Sequence, residues 1–291
     1  MTFNDDANIK GGRVSKRGRN TGIALGGGGL GLVAIIIIGN LLGVDLSGIV
    51  DPTGGTGTGG GAGGGDTPLT QCDTGEDANA NVECRMQAAA TSLDAFWTGQ
   101  LDGYTQPELV LFTGATNTGC GGATSAVGPF YCPPDQTVYL DTDFYDLLKT
   151  QYGSSGGPLA QLYVVAHEWG HHIQNITGLM NNLDLQDTGP TSDSVRLELQ
   201  ADCFAGAWAG AASSTTDASG TPFLEPITEA QVTDALSAAA AVGDDSIQEA
   251  TTGQVQPETF THGSSEQRQR WFLVGFKQGP AQCDTFGAST L

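Results

Sequence analysis

The stretch from Pro158 to Gly178 predicts a helix with two separate faces, and it constrains the fold more than any other feature. Proline suits the first turn of a helix, and glycine suits the position just after its end. Between them, apolar residues recur with the 3.6-residue period of a helix that packs on a core. These residues are Leu162, Val165, Trp169, Ile173 and Ile176. His167 and His171 lie about one turn apart on a different side, so the helix presents two imidazoles away from its core face.

The two imidazoles are spaced to bind one metal ion. Glu168 lies about 100° around the helix from His167, beside the metal, where a general base for a metal-bound water stands. The pattern His-Glu-x-x-His is typical of zinc metalloproteases. The sequence therefore predicts Zn²⁺ bound by His167 and His171, with Glu168 as the catalytic base. His172 points away from this face, and we interpret it as a hydrogen-bonded structural histidine.

A catalytic zinc site needs three protein ligands and one open position for water. The longer pattern H-E-x-x-H-x-x-G-x-x-H is absent, because Gln174 replaces its glycine and Thr177 its third histidine. A second predicted helix, at about 193–211, carries Glu198 and Asp202 four residues apart and hence on one face. We predict that Glu198 is the third ligand and that Asp202 accepts a hydrogen bond from the free ring nitrogen of a ligating histidine. The alternative is a solvated acidic face.

His262 lies outside the predicted zinc-binding helix. A hydrolase benefits from a donor that stabilises the oxyanion of the tetrahedral intermediate, and His262 is our candidate for that catalytic role. A capping or loop histidine is the alternative. Tyr139 and Tyr163 are weaker candidates for the same donor. The Gly-Asp-Asp sequence at 243–245 is interpreted as a turn with a helix cap rather than a second metal site.

The N-terminal region predicts a membrane anchor. Five of the eleven Lys and Arg residues lie within the first twenty positions, and residues 21–44 carry no charged side chain. As a helix this run is about 36 Å long, and a bilayer core is about 30 Å thick. The basic flank places the N terminus in the cytoplasm. We therefore expect a cytoplasmic segment at 1–20, a single-pass transmembrane helix at 21–44 and an extracytoplasmic remainder; a cleaved signal peptide is the alternative.

Beyond the predicted span, composition separates a linker from a domain. Residues 45–68 are dominated by Gly and Thr and predict a flexible linker. Residues 69–291 are then the folded domain, which is large enough for a proper core. From Asp45 onward the chain has six basic and thirty acidic residues, a balance that argues against nucleic acid as a partner.

Six cysteines, all within the predicted domain, indicate disulfides in an oxidising compartment. Three bridges among six cysteines allow fifteen pairings. We expect the local pairs Cys72–Cys84 and Cys120–Cys132, which leaves Cys203 with Cys283. Buried free thiols are the alternative.

Several longer motifs resemble the bacterial neutral zinc metallopeptidase family, over nearly all of residues 72–291. The motifs are GPFYCPPDQTVYLD (128–141), VVAHEWGHHIQN (164–175), RLELQADCFAG (196–206), GDD (243–245) and THGSSEQRQRWF (261–272). The resemblance implies a basic N-terminal segment, one membrane span and a zincin-like domain. It also implies His167, His171 and Glu198 as zinc ligands and Glu168 as catalytic, and it favours a functional role for His262.

The expected fold is α+β and zincin-like, behind the single N-terminal transmembrane helix. A small sheet, with TVYL (137–140) as a candidate edge strand, packs on the two site helices. The expected function is that of a membrane-anchored zinc peptidase acting on a protein or peptide substrate. Two alternatives stay open: a non-catalytic extracellular scaffold or binding domain that contains zinc, and a zinc amidase acting on cell-wall or small-molecule amides.

Overall fold

The computed structural model describes residues 2–18 and 66–291 of the chain. The strands are β1 (Val14–Lys16), β2 (Thr67–Pro68), β3 (Glu108–Phe112), β4 (Ala115–Thr118), β5 (Gly121–Thr124), β6 (Phe130–Cys132) and β7 (Thr137–Asp141). The helices are α1 (Gly75–Ala80), α2 (Val82–Gln100), α3 (Phe144–Thr150), α4 (Pro158–Ile176), α5 (Asp193–Ala211), α6 (Glu229–Ala241), α7 (Asp244–Thr252) and α8 (Ser265–Gln278). Short 3-10 helices lie at Ser125–Val127, Leu179–Asn182, Pro257–Thr259 and Pro280–Gln282. The described residues thus form a mixed α/β structure.

Five strands form one sheet in the order β2-β1-β3-β7-β6, and β4 and β5 form a separate hairpin. Strands β1, β3 and β7 run parallel, whereas β2 and β6 are antiparallel to their neighbours. The TVYL segment is therefore not an edge strand: it lies in β7, between β3 and β6. All five residues of β7 are buried, as expected of an inner strand. The edge beside it is β6, which a turn at 133–136 joins to β7.

The predicted two-faced helix is α4. It begins at Pro158 and is followed by Gly178 in the left-handed conformation, as the sequence indicated. Its core-facing residues Leu162, Val165 and Trp169 are buried in the main apolar cluster. The helix α5 begins after Ser192, whose side chain accepts a hydrogen bond from the amide of Val195. Both site helices therefore begin where the local sequence signals placed them.

The helices α5 and α8 pack unusually closely, and glycine makes that possible. A Cβ atom at Gly206 on α5 would lie 1.9 Å from the carbonyl oxygen of Phe272 on α8. One at Gly275 on α8 would lie 1.8 Å from the carbonyl oxygen of Cys203 on α5. Side chains at these positions would force the helices apart. The close crossing brings Arg268 of α8 against α5, next to Asp202.

The N-terminal residues 2–18 pack into the same fold as residues 66–291. Phe3 and Ile9 are buried in the core, and β1 pairs with both β2 and β3. The side chains of Arg17 and Asp66 form an ion pair of 2.6 Å. The main-chain hydrogen bonds of β1 therefore hold residues 2–18 against the part of the chain that begins at 66.

The prediction of a domain behind a single N-terminal transmembrane helix is wrong. Among residues 2–18 and 66–291, no helix has both the length and the apolar character needed to span a bilayer. A single span would also place residues 2–18 across the membrane from the domain in which they are packed. The run at 21–44, and the linker residues as far as 65, lie outside the described residues.

The predicted disulfide pairing is confirmed. Cys72 bonds to Cys84, and Cys120 bonds to Cys132, each across a separation of 12 residues. Cys203 on α5 bonds to Cys283 near the C terminus, across a separation of 80 residues. The long-range bridge therefore ties the second site helix to the last segment of the chain.

A buried carboxyl group behind α4 makes the stability of the fold depend on pH. Asp94 on α2 accepts hydrogen bonds from the hydroxyl of Tyr104, at 2.5 Å, and the indole of Trp169, at 3.3 Å. Burial raises the pKa of Asp94 to about 6, against the opposing effect of these two bonds. Because the folded state holds this proton more tightly than the unfolded chain, the associated stability is present below about pH 4 and is lost as the pH rises through 6.

We therefore expect Asp94→Asn to be more stable than wild type at pH 7, by on the order of 2 kcal/mol. The asparagine oxygen still accepts from Tyr104 and Trp169, but it carries no charge to bury. The measurement is urea unfolding of both proteins between pH 4 and pH 7. The difference between the two curves isolates Asp94, and a difference that stays constant across this range would contradict the assignment.

Candidate metal centre

Three side chains from two helices converge on one point. His167 and His171 on α4 and Glu198 on α5 each offer a ligand atom, and these atoms lie within 4.8 Å of one another. The Nε2 atoms of His167 and His171 lie 3.1 Å and 3.4 Å from the two carboxylate oxygens of Glu198. The structure thus brings together the three predicted ligands.

A glycine inside the His-Glu-x-x-His motif permits this convergence. Gly170 faces α5, and a Cβ atom there would lie 2.8 Å from the Cα atom of Ala201. Helix α5 can therefore approach α4 closely at this point, within one turn of Glu198. Any larger residue would push the Glu198 carboxylate away from the imidazoles.

Asp202 lies behind His167, one turn along α5 from Glu198. Its Oδ1 atom is 2.8 Å from Nδ1 of His167, and the side chain is fully buried. Because a carboxylate accepts, the Nδ1 atom carries the proton and the Nε2 atom is left to face Glu198. The hydroxyl of Tyr163 also donates to Asp202. With Glu198 also largely buried, the two carboxylates are not a solvated acidic face.

Arg268, a buried cation beneath the site, is not among the residues predicted from the sequence. Its guanidinium donates twice to Asp202, at 2.8 Å and 3.0 Å, and once to the hydroxyl of Tyr163 at 3.2 Å. Its side chain is only 3% exposed. Its helical spacing could have identified it, because Arg268 shares a helix face with the buried Trp271, Phe272 and Gly275. A charged residue on an apolar helix face indicates a buried partner.

The charges in the site favour the ionised forms of Glu198, Asp202 and His167. Burial acts to raise the pKa of Glu198, but the imidazoles of His171, His262 and His167 outweigh it and hold that pKa well below its usual range. Burial likewise acts to raise the pKa of Asp202, and Arg268 and His167 reverse the effect. Burial lowers the pKa of His167, but Asp202 and Glu198 raise it to about 10. A cation that binds Nε2 of His167 must therefore displace a proton.

Glu168 is buried on α4 but is not one of the three converging side chains. Burial raises its pKa, and the imidazoles of His171 and His167 oppose that effect. A backbone hydrogen bond from Tyr131, in the edge strand β6, also favours the ionised form. Burial thus makes the Glu168 carboxylate a stronger proton acceptor than an exposed glutamate, as a general base requires.

The remaining predicted donor, His262, is held by a buried carboxylate. Its Nδ1 atom lies 3.3 Å from Oδ1 of Asp244, whose Oδ2 atom accepts from the backbone amides of Thr261, His262 and Gly263. Burial lowers the pKa of His262, but Glu198 and Asp244 outweigh it and raise the pKa. Asp244 therefore fixes the loop that carries His262, and the imidazole lies close enough to Glu198 for the charges of the two groups to interact.

The other candidates have different roles. His172 is fully buried, with Nδ1 3.0 Å from the hydroxyl of Tyr131 and Nε2 2.6 Å from the carbonyl oxygen of Thr105, as expected of a structural histidine. Burial lowers its pKa. The hydroxyl of Tyr139 donates to Asp135, at 2.7 Å.

The donor set fits zinc. Two neutral imidazoles and one carboxylate are ligands that Zn²⁺ prefers, and three protein ligands leave one position of a tetrahedron open. The acceptor behind His167 is the kind of group that orients a metal-binding imidazole. A site that serves only structure is normally closed by four protein ligands. The arrangement therefore resembles a catalytic zinc site.

Comparison with known proteins also indicates a zinc enzyme. A family described as "Putative neutral zinc metallopeptidase" matches residues 2–286. The uncharacterized protein Rv2575 of Mycobacterium tuberculosis H37Rv is 55% identical over 225 residues, which cover 77% of each chain. The uncharacterized protein YpfJ of Escherichia coli K12 is 38% identical over 298 residues, which cover 98% of this chain and 96% of the relative. No solved structure matches the chain.

Proposed function

Because the chain belongs to the neutral zinc metallopeptidase family, we propose that it hydrolyses peptide bonds with zinc held by His167, His171 and Glu198. Membership implies Zn²⁺ as the cofactor and a peptide or protein as the substrate. The observation that carries the proposal is the convergence of these three ligand atoms within 4.8 Å of one another. Three ligands leave a position for water, which distinguishes a hydrolytic site from a scaffold.

Each residue of the site has a separate role in the proposed reaction. Zinc, when bound, acts as a Lewis acid that lowers the pKa of water at the site towards about 7. Glu168 takes a proton from the attacking water and delivers it to the departing amine nitrogen. Asp202 accepts from Nδ1 of His167 and so keeps Nε2 available as a ligand atom. Arg268 holds the Asp202 carboxylate in place with two hydrogen bonds.

His262 has the second catalytic role in this proposal. An acyl-transfer reaction builds negative charge on the carbonyl oxygen, and a fixed donor near that oxygen lowers the barrier. Nδ1 of His262 donates to Asp244, and the carboxylates of Glu198 and Asp244 raise the pKa of the imidazole. In its protonated form the ring can donate from Nε2 as well. We assign that atom to the developing oxyanion.

The position of β6 at the edge of the described sheet supports a peptide as the substrate. Strand β6 ends the described sheet, and the backbone amide of its residue Tyr131 is a neighbour of the Glu168 carboxylate. An extended peptide can add to such an edge as a further strand, through main-chain hydrogen bonds that do not depend on sequence. A peptide bound in this way would pass beside the proposed base.

The disulfides support a location outside the reducing cytoplasm. All six cysteines are paired, and such bridges persist in oxidising compartments. We propose that the folded domain works in an extracytoplasmic compartment. The measurement is the redox state of the six cysteines in protein from its native cells, trapped with a thiol-alkylating reagent, and six alkylated thiols would contradict the location.

Removal of the metal tests the proposed activity. The full chain is incubated with a mixture of unstructured peptides, before and after treatment with a chelator, and products are read by mass spectrometry. We expect cleavage at internal peptide bonds, its loss with the chelator and its return with added zinc. Cleavage that persists in the metal-free protein would contradict the proposal. Cleavage of cell-wall amides alone would favour the amidase alternative, and zinc binding without turnover of either substrate would favour the scaffold.

A further inference from the structure

We propose that Gln174 is a positioning residue for the metal centre, a neutral amide that fixes the orientation of His171 and ties it to the helix of Glu198. The inference rests on the proposed ligand set and deepens it, because the chemistry of a His-Glu-x-x-His site assigns no role to this position. Gln174 lies on α4, one turn after His171, and its side chain is fully buried.

Three contacts engage the amide group of Gln174. Its oxygen lies 2.9 Å from Nδ1 of His171. Its nitrogen donates to the carbonyl oxygen of Leu197 at 2.7 Å and to the side-chain oxygen of Gln200 at 3.2 Å. Leu197 directly precedes Glu198 in the sequence, so one side chain joins a ligand on α4 to the backbone beside the ligand on α5.

The hydrogen-bond partners fix which way the amide points. The carbonyl oxygen of Leu197 can only accept, so the group of Gln174 that faces it must be the nitrogen. The side-chain nitrogen of Gln200 donates to the carbonyl oxygen of Cys283 at 2.8 Å, which leaves the oxygen of Gln200 as the acceptor for Gln174. The oxygen of Gln174 therefore faces His171. The chain of donors and acceptors begins at two backbone carbonyls, neither of which can reverse its role.

The consequence for His171 is a single tautomer. Because Gln174 presents an acceptor, Nδ1 of His171 carries the proton and Nε2 is free to face Glu198, at 3.4 Å. The other histidine ligand reaches the same tautomer by different means, through the Asp202 carboxylate. A neutral amide adds no negative charge that a buried cation must offset, whereas Asp202 is paired with Arg268. Gln174 thus orients its imidazole at a lower electrostatic cost.

Zinc affinity tests this role directly. The variant Gln174→Met keeps the length of the side chain but removes the acceptor and the donor. We expect its zinc dissociation constant, measured by competition with a chromogenic chelator, to rise by about 10- to 100-fold. The matched control is Gln161→Met, the same substitution on the same helix, where the amide bonds to Arg85 and not to the site. We expect that variant to bind zinc as wild type does.

A second variant separates orientation of His171 from a general effect on packing. Gln174→Glu restores an acceptor for Nδ1 of His171 but not the donor to Leu197. We expect its zinc affinity to lie between those of Gln174→Met and wild type, and the absorption spectrum of its Co²⁺ form to stay closer to that of wild type. This comparison also holds if the methionine variant fails to fold, because the glutamate variant is measured against wild type alone and is expected within about 10-fold of it.

Two results would overturn the inference. One is a Gln174→Met protein that binds zinc within about twofold of wild type. The other is a Gln174→Glu protein that folds but binds zinc more than about 100-fold more weakly than wild type, beyond the range expected for loss of an outer hydrogen bond. Neither result would contradict the proposed activity. That proposal is contradicted by a different result, namely that the wild-type protein binds no zinc at His167, His171 and Glu198.

Discussion

Replacement of Glu168 by glutamine is expected to abolish most peptide hydrolysis while leaving zinc in place. The amide has the shape of the carboxylate but cannot take a proton from water, and general acid–base catalysis contributes about 10²- to 10⁴-fold to the rate. Zinc stays because Glu168 is not among the three converging ligand side chains. The measurements are kcat/KM on a cleaved peptide and the zinc content per chain.

The same substitution at Glu198 is the matched comparison. Glu198→Gln also exchanges a largely buried glutamate for its amide, but it removes a proposed anionic ligand whose oxygens lie 3.1 Å and 3.4 Å from the two imidazoles. We expect this variant to lose both zinc and hydrolysis. If Glu168→Gln cleaved peptides as fast as wild type, the assignment of the base would be wrong. If it lost zinc as Glu198→Gln does, Glu168 would belong to the ligand set instead.

Removal of the Cys203–Cys283 disulfide is expected to cause the largest loss of stability. The bridge closes a loop across 80 residues, and loop closure of that length stabilises a fold by about 4.5 kcal/mol. Domains of this kind have a total stability of about 5–15 kcal/mol, so the loss is a large fraction. The double substitution Cys203→Ala and Cys283→Ala removes both thiols without burying a polar group. Urea unfolding measures the change.

The Cys72–Cys84 pair is the control. These cysteines are about as buried, but they are only 12 residues apart, and the same relation gives about 2.8 kcal/mol. Equal losses for the two double variants would show that loop length does not determine the effect. A smaller loss for Cys203 and Cys283 would show that α5 is held in place by its packing on α8 and not by the bridge.

Local patterns predicted which candidate side chains share a helix face, because each pattern lies within one helix. The i and i+4 spacing of His167 and His171 puts them on one face, and the same spacing does so for Glu198 and Asp202. Pro158 and Ser192 marked the starts of the two helices. The shared helix faces and the helix starts depend only on residues that are close together in the chain, so they can be predicted from the sequence.

The position of the N-terminal segment was not predictable in the same way. A basic flank followed by an apolar run is the usual signal of a membrane span, and the sequence presents both. The signal that opposed it was weak: buried residues such as Phe3, Ile9 and Val14 are spread along residues 2–18 without a helical or strand period. Long-range contacts show where the segment belongs, above all the pairing of β1 with β3 across about a hundred residues.

The sequence by itself determined which helix carries His167, His171 and Glu198 and which side chains share a helix face, because those properties follow from the period of a helix. The tertiary structure alone decided what supports them. Arg268 reaches Asp202 only because glycines let α8 cross α5 closely, and Gln174 reaches Leu197 only because Gly170 lets α5 approach α4. Such contacts join residues far apart in the chain, and their partners are chosen by the packing of whole helices, which no local pattern encodes.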